Sequence, residues 1–503
     1  MIRHEAGVPP QPRPEPTPCQ LSASETRNSE PRSGYGRPFW CAFLSNLTIM
    51  MAVALLYRYA DFVKLLGGTE FHLGWIVGVG IAGSVATRLL IGSWIDRFGS
   101  RPLWIGSLLL FAVTCLAHLA VTTYNGPAVY LLHILFYSSV AGINGAAVTF
   151  VSHCGPEKKI AEMIGMWGTS GFIGAVLGTQ LGDLLFSGAA GIERPEIVEM
   201  FVYAAALSLL TIPLAWTATR SEKHAALLPW LRKITRERLS RRAAPASCLC
   251  DEEEAADSRD RLATCPTGQP SMWAILRQHN PGVVLAVGVA MGIGLGLPPT
   301  FLRPFAAGLG IPRIGVFFLV YSITAVVTRV LTRQWVERYG TRLVMLISLS
   351  GLAASVMLFL LVDSEWMLII PAIGFGCSHA VLFPTVVAAG SGVFPAENRG
   401  VATLLMLATW DVGRLVGAPL AGGVLRLARV TGLPPYPTMY VVTSLMLGAV
   451  CVWYAVGVFF PKRIPTVERE GELELSPAHR PPLPALDERE PAPAAIASNV
   501  QAG

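Results

Sequence analysis

Charge is what this sequence has least of. Asp, Glu, Lys and Arg make up 14% of its 503 residues, against roughly 25% in an average soluble domain. Hydrophobic residues make up 52% and the mean hydropathy is +0.50, so a soluble globular protein is excluded and a membrane protein with several spans is expected. Cysteine is scarce too: there are nine, and Cys41, Cys115, Cys377 and Cys451 sit in apolar runs, where a thiol behaves as a small hydrophobe. The odd count argues against a disulfide framework. Cys248, Cys250 and Cys265 share a polar segment without a histidine or a second CxxC, so no metal site is expected there. The chain lacks a GxxxxGK[ST] loop, which argues against a built-in ATPase, and no cofactor is expected. The net charge of +6 falls where bilayer insertion requires it, and nucleic-acid binding is not needed to explain it. Residues 1–37 are rich in Pro, Arg, Glu and Ser and have no apolar core; they are expected to form a disordered cytoplasmic tail rather than a signal peptide or a span.

A membrane helix needs about 20 mostly apolar residues. Such windows occur near 38–57, 72–95, 102–123, 127–152, 162–187 and 197–219, and again near 282–302, 312–336, 343–362, 366–391, 400–425 and 437–460. This predicts an all-α protein of twelve spans in two six-helix bundles, 38–219 and 282–461, joined by a polar linker at 220–281 and followed by a disordered tail at 462–503. In the linker, Pro229–Arg242 reads either as a basic amphipathic helix on the inner leaflet or as a solvated connection. The short loops with Arg97, Arg101, Lys158, Lys159, Arg338, Arg342 and Arg399 place both termini in the cytoplasm by the positive-inside rule.

The two halves carry a repeated motif. From Thr87 the chain reads TRLLIGSWIDRFGSR and from Thr328 it reads TRVLTRQWVERYGTR, in register at an offset of 241. A match this long marks an internal duplication. The loops after spans four and ten correspond at an offset of 239, with Pro156, Gly174 and Gly178 answered by Pro395, Gly413 and Gly417. The glycine rows Gly171/Gly174/Gly178/Gly182 and Gly413/Gly417/Gly422 predict faces on which helices pack closely.

Twelve spans, the two-fold repeat, the long central loop and the G-x-x-x-D-R-x-G-x-R pattern of Gly92, Asp96, Arg97, Gly99 and Arg101 together resemble the major facilitator superfamily of secondary transporters. The resemblance covers roughly residues 38–461. It implies a gate in which Asp96 meets the start of span eleven and the arginines join a charge network. The copy Glu337, Arg338, Gly340 and Arg342 departs from the pattern, since Arg333 stands where Gly92 stood. The resemblance also implies a monomer in the cytoplasmic membrane that rocks about a central site, moves a small solute and couples to protons. It does not fix the direction, because Gly178 is followed by Thr179 rather than by the proline of the family's antiport signature.

The polar residues inside the spans are the candidates for that site. Arg88 and Arg329 occupy one repeat position at membrane depth, where an arginine is costly and faces protein or water; they either extend the gate or touch an anionic solute. Asp411 and Arg414 share a face of span eleven, with Asp411 about 16 Å from the start of that span. His379 lies at about the same depth in span ten. Asp411 and His379 are the proton candidates, or else Asp411 and Arg414 neutralise one another. Asn46 and Asn144 lie on spans that line the cavity in the family and read equally as interhelical glue. Arg58 and Arg303 are expected to snorkel at the outer ends of spans one and seven, or else to guard the outer mouth. Asp183 lies deep in span five, and His118 and His133 read as structural. The expected function is proton-coupled efflux of a drug-like or metabolite solute. The alternatives are uptake of an organic anion or nutrient, and a transporter-shaped sensor.

Overall fold

The computed structural model describes residues 35–154, 159–186, 193–220, 281–332, 334–394 and 399–459. The expected linker helix, the Cys248/Cys250/Cys265 segment, Arg333 and the tails lie outside these residues, as do the side chains of Gly92 and Asp96 with the expected contact at the start of span eleven. The long helices are α1 (Arg37–Leu65, broken by a 3-10 turn at Leu56–Arg58), α2 (Glu70–Phe98), α3 (Ser100–His118), α4 (Pro127–Ser152), α5 (Ile160–Leu185) and α6 (Arg194–Ala218). The second set is α7 (Val283–Gly308), α8 (Gly315–Leu331), α9 (Thr341–Met357), α10 (Ile369–Ser391), α11 (Arg399–Val430) and α12 (Pro435–Phe459). Each predicted span overlaps one of them.

Nine of these helices are long and apolar enough to cross a membrane, and α8 is a shorter apolar helix. The other two, α5 and α11, have sequences shaped by contact rather than by lipid. α5 carries six glycines and α11 carries Asp411 and Arg414, which lowers the hydropathy of both.

The halves pack by one rule. α1 lies against α5 and α6, α2 against α4, and α3 against α4 and α6; the same pairs recur six helices later, as α7 with α11 and α12, α8 with α10, and α9 with α10 and α12. The two most extensive crossings between the bundles are α2 with α11 and its repeat mate α8 with α5, and α7 also touches α1 and α2. Glycine makes the close approaches. A Cβ on Gly178 would collide with the Met51 carbonyl of α1, and one on Gly413 with the Val289 carbonyl and the Gly292 backbone of α7. The turn glycines also repeat: Gly99 (φ +84°) and Gly340 (φ +79°) both end a helix and begin the next, in a left-handed region that other residues enter at a cost.

Candidate functional site

A cavity of about 380 Å³ lies between the bundles, lined from both sides. Tyr57, Phe172, Tyr321 and Trp410 give it aromatic walls, and Arg88, Asn144, His379, Asp411 and Arg414 give it polar groups. Mostly apolar walls with a few convergent polar groups describe a small-molecule site.

Its centre is an ion pair that crosses between the halves. Arg88 of α2 donates from Nε to Asp411 of α11, and the Ser84 hydroxyl donates to the same carboxylate at 2.9 Å. Asp411 is 2% exposed while Arg88 keeps about a fifth of its surface open. Asp411 and Arg414 are thus not each other's partners: Arg414 reaches instead to the Tyr137 hydroxyl of α4 at 3.3 Å. A one-turn offset puts the two groups near one face but lets each point to a different helix.

Arg329, the repeat mate of Arg88, is half-buried and has no hydrogen-bond or ion-pair partner among the described residues. The duplication explains why. At the offset of 239 the position matching Asp411 is Phe172, so the α5–α8 crossing has a phenyl ring where the α2–α11 crossing has a carboxylate. Phe172 stands edge-on to Tyr321 and His379, with ring centres at 6.1 and 5.9 Å. His379 hydrogen-bonds the Tyr321 hydroxyl through Nδ1 and stacks on Trp410 at 5.6 Å. It therefore shares the cavity with Asp411 but has its polar contact within its own half.

The two asparagines differ. Asn46 is buried and donates to the Trp167 carbonyl (3.2 Å) and the Ser170 hydroxyl (2.8 Å) of α5, which is the interhelical glue reading. Asn144 borders the cavity and bonds its own helix at the Val140 carbonyl.

Arg58 and Arg303 do not snorkel. α1 continues to Leu65 rather than ending near residue 57, so Arg58 falls inside it, 2% exposed, with Arg303 at 8%. Arg58 donates to Asp183 of α5 at 2.6 Å and lies 3.4 Å from Asp61. Arg303 of α7 donates to Asp61 at 2.9 Å across the halves. Both arginines also reach the Pro312 carbonyl, and Asp183 accepts the Ile314 and Gly315 amides at 3.2 and 2.5 Å. Those amides have no acceptor within their own helix at the start of α8, where a carboxylate is favoured. Nearby, Glu70 of α2 takes Arg429 at 2.7 Å and the Tyr436 hydroxyl at 3.0 Å. These contacts bolt the bundles together on the face opposite the Gly92–Arg101 turn.

On the motif face three arginines make ring contacts. Arg101 lies over Trp216 of α6 at 3.6 Å, and Arg97 and Arg338 lie over the neighbouring Phe98 and Tyr339. Arg97, Glu337, Arg338 and Arg342 are exposed. Among the described residues, every named polar or ring contact between the halves lies at the cavity or on the opposite face.

The family model of the Major Facilitator Superfamily matches residues 39–312 and 282–498. The chain belongs to this superfamily. It is a membrane transporter and not an enzyme. A crystal structure of the nucleoside transporter NupG superposes with a TM-score of 0.60 at 15% identity, over 85% of this chain and all of that one; at that identity the likeness is one of fold. The staphylopine export protein of Staphylococcus aureus (strain Mu50 / ATCC 700699) is 23% identical over 203 residues, 39% of this chain and 49% of that protein. The class H tetracycline resistance protein of Pasteurella multocida is 31% identical over 139 residues, 27% of this chain and 34% of that protein. The matched regions thus span half or less of these relatives.

Proposed function

We propose that this superfamily member exports a small drug-like or metabolite solute in exchange for protons, by alternating access. The observation that carries the reading is the Arg88–Asp411 pair with Ser84, a buried carboxylate that fastens one bundle to the other inside the cavity. A proton and Arg88 compete for Asp411. Protonation removes the charge that holds α2 to α11, so taking up a proton and parting the bundles become one event. His379 is the second proton candidate, and the aromatic walls receive the solute. The motif residues Gly92, Asp96, Arg97, Gly99 and Arg101, with Glu337, Arg338, Gly340 and Arg342, form the gate on the other face. That face and both termini are cytoplasmic in this reading, and the protein lies in the inner membrane. One chain contains the whole cavity, so the monomer is the working unit. The name of one relative, the staphylopine export protein, supports the direction.

A second reading, uptake of an organic anion, is favoured by Arg414, whose described partner is a tyrosine hydroxyl rather than a carboxylate. One experiment separates the two. Solutes found by thermal stabilisation of the purified protein are loaded into proteoliposomes and an inside-to-outside pH difference is imposed. Export by exchange accumulates the solute on the acidic side. Accumulation on the alkaline side supports anion uptake with protons, and a flux that ignores the pH difference sinks proton coupling.

A further inference from the structure

Within the N-terminal bundle, towards the face opposite the motif turn, three side chains from different helices meet at the cavity and form a lobe of its lining. They are Tyr59 of α1, His118 at the end of α3 and His133 near the start of α4, all lining the cavity. All three are buried, at 6%, 1% and 3% exposure. Four of their polar atoms have no hydrogen-bond partner among the described residues: the Tyr59 hydroxyl, His118 Nε2, and both ring nitrogens of His133. Buried polar atoms are nearly always paired, so four orphans on three neighbouring rings that line one cavity call for a partner.

We propose that this lobe is a binding subsite for a flat, uncharged heteroaromatic group that both donates and accepts a hydrogen bond. It extends the cavity assigned above to the solute, and so rests on that reading. The donor pattern follows from the tautomers. His118 Nδ1 lies 2.6 Å from the Thr114 carbonyl, which only accepts, so Nδ1 carries the hydrogen and Nε2 presents a lone pair. A neutral His133 offers one donor and one acceptor, and the Tyr59 hydroxyl offers either. The shape follows from the rings. Tyr59 and His133 lie 4.3 Å apart at 32°, His118 stacks on Phe201 at 5.1 Å, and His133 stacks on Phe136 at 5.5 Å. Such walls favour a π-face. The charge follows from the lining: Arg414, the cation that acts on His133, bonds Tyr137, and among the described residues no acid is recorded against these three side chains.

The test is equilibrium binding to the purified full chain in detergent, by calorimetry. The probes are benzimidazole, which has one N–H and one bare nitrogen, and indene, which has the same shape and neither. Wild-type protein is expected to bind benzimidazole at least tenfold more tightly than indene. Tyr59→Phe, which keeps the ring and so leaves folding intact, lowers that preference at least threefold, and His133→Phe lowers it further. Equal affinity for the two probes, or a preference that Tyr59→Phe leaves unchanged, overturns the subsite and means that the lobe holds ordered water only. Two readouts on the wild-type protein separate the two proposals: if solute flux ignores an imposed pH gradient while the preference for benzimidazole over indene stands and falls with Tyr59→Phe, proton coupling fails and the subsite does not.

Discussion

Asp411→Asn is expected to lower solute flux driven by a pH gradient by at least about a hundredfold, while solute-for-solute exchange continues at a reduced rate. Asparagine keeps the volume and still accepts from Ser84, but it neither binds nor releases a proton in the working range. It also leaves Arg88 without its counter-charge. Removing one partner of a buried ion pair costs about 3–5 kcal/mol, and because Arg88 is about a fifth exposed the lower end applies. That cost falls only on conformations in which α2 and α11 are in contact, so the variant favours separated bundles. Arg88→Gln added to Asp411→Asn removes the unpaired charge and is expected to restore exchange to near the wild-type rate without restoring coupling. Flux and exchange in proteoliposomes measure both quantities. Driven flux at the wild-type level in Asp411→Asn would rule out Asp411 as the proton carrier.

The second large effect is expected at the charge network of Arg58, Asp61, Asp183 and Arg303. Asp61→Asn strands Arg303, which is 8% exposed, in the state where the bundles meet on that face. When they part there, water reaches Arg303 and the cost disappears. About 3–5 kcal/mol, at about 1.4 kcal/mol per tenfold, moves the opening equilibrium by roughly two orders of magnitude or more. Thr300→Cys reports it: this position borders the cavity and is 7% exposed. Reaction with an impermeant thiol reagent supplied on that face is expected to rise about a hundredfold in Asp61→Asn. Asp61→Leu combined with Arg303→Leu replaces the pair by apolar volume and is expected to restore protection, as apolar substitution for a buried pair often does. Unchanged labelling in Asp61→Asn would show that the network does not close this face.

The architecture was legible because its signals are strong and periodic. Long apolar windows and a fifteen-residue repeat at one offset gave the spans and the two-fold order, and the glycine rows gave the close faces of α5 and α11. The site was legible as residue types at the right depth, but not as pairs. Nothing in the sequence says that Arg88 and Asp411, 323 positions apart, share a hydrogen bond, because that depends on how the duplicated halves meet. The offset of 239 does carry a usable hint: it sets Asp411 against Phe172 and so marks the two crossings as unequal. The Arg58 network was misread because the apolar window stops short of Arg58, whereas the helix runs on to Leu65. A charge that ends a hydrophobic run reads as a snorkelling anchor, unless a carboxylate one turn on, here Asp61, is recognised as part of the same buried unit. His118 and His133 read as structural in the sequence, where no local pattern records that they meet Tyr59, because that meeting depends on three helices converging.

The central claim is that one protonation at Asp411 trades closure on one face for closure on the other. Spin-label distances in lipid nanodiscs test it without knowledge of the solute. In a background free of native cysteines, exposed positions on the two halves are labelled: Thr122 with Asp363 on the face sealed by Arg58 and Arg303, and Lys159 with Val393 on the motif face. Lowering the pH is expected to shift the two distance distributions in opposite directions in the otherwise wild-type protein, and to shift neither in Asp411→Asn. Distances that move together, stay fixed, or keep their pH response in Asp411→Asn would contradict it.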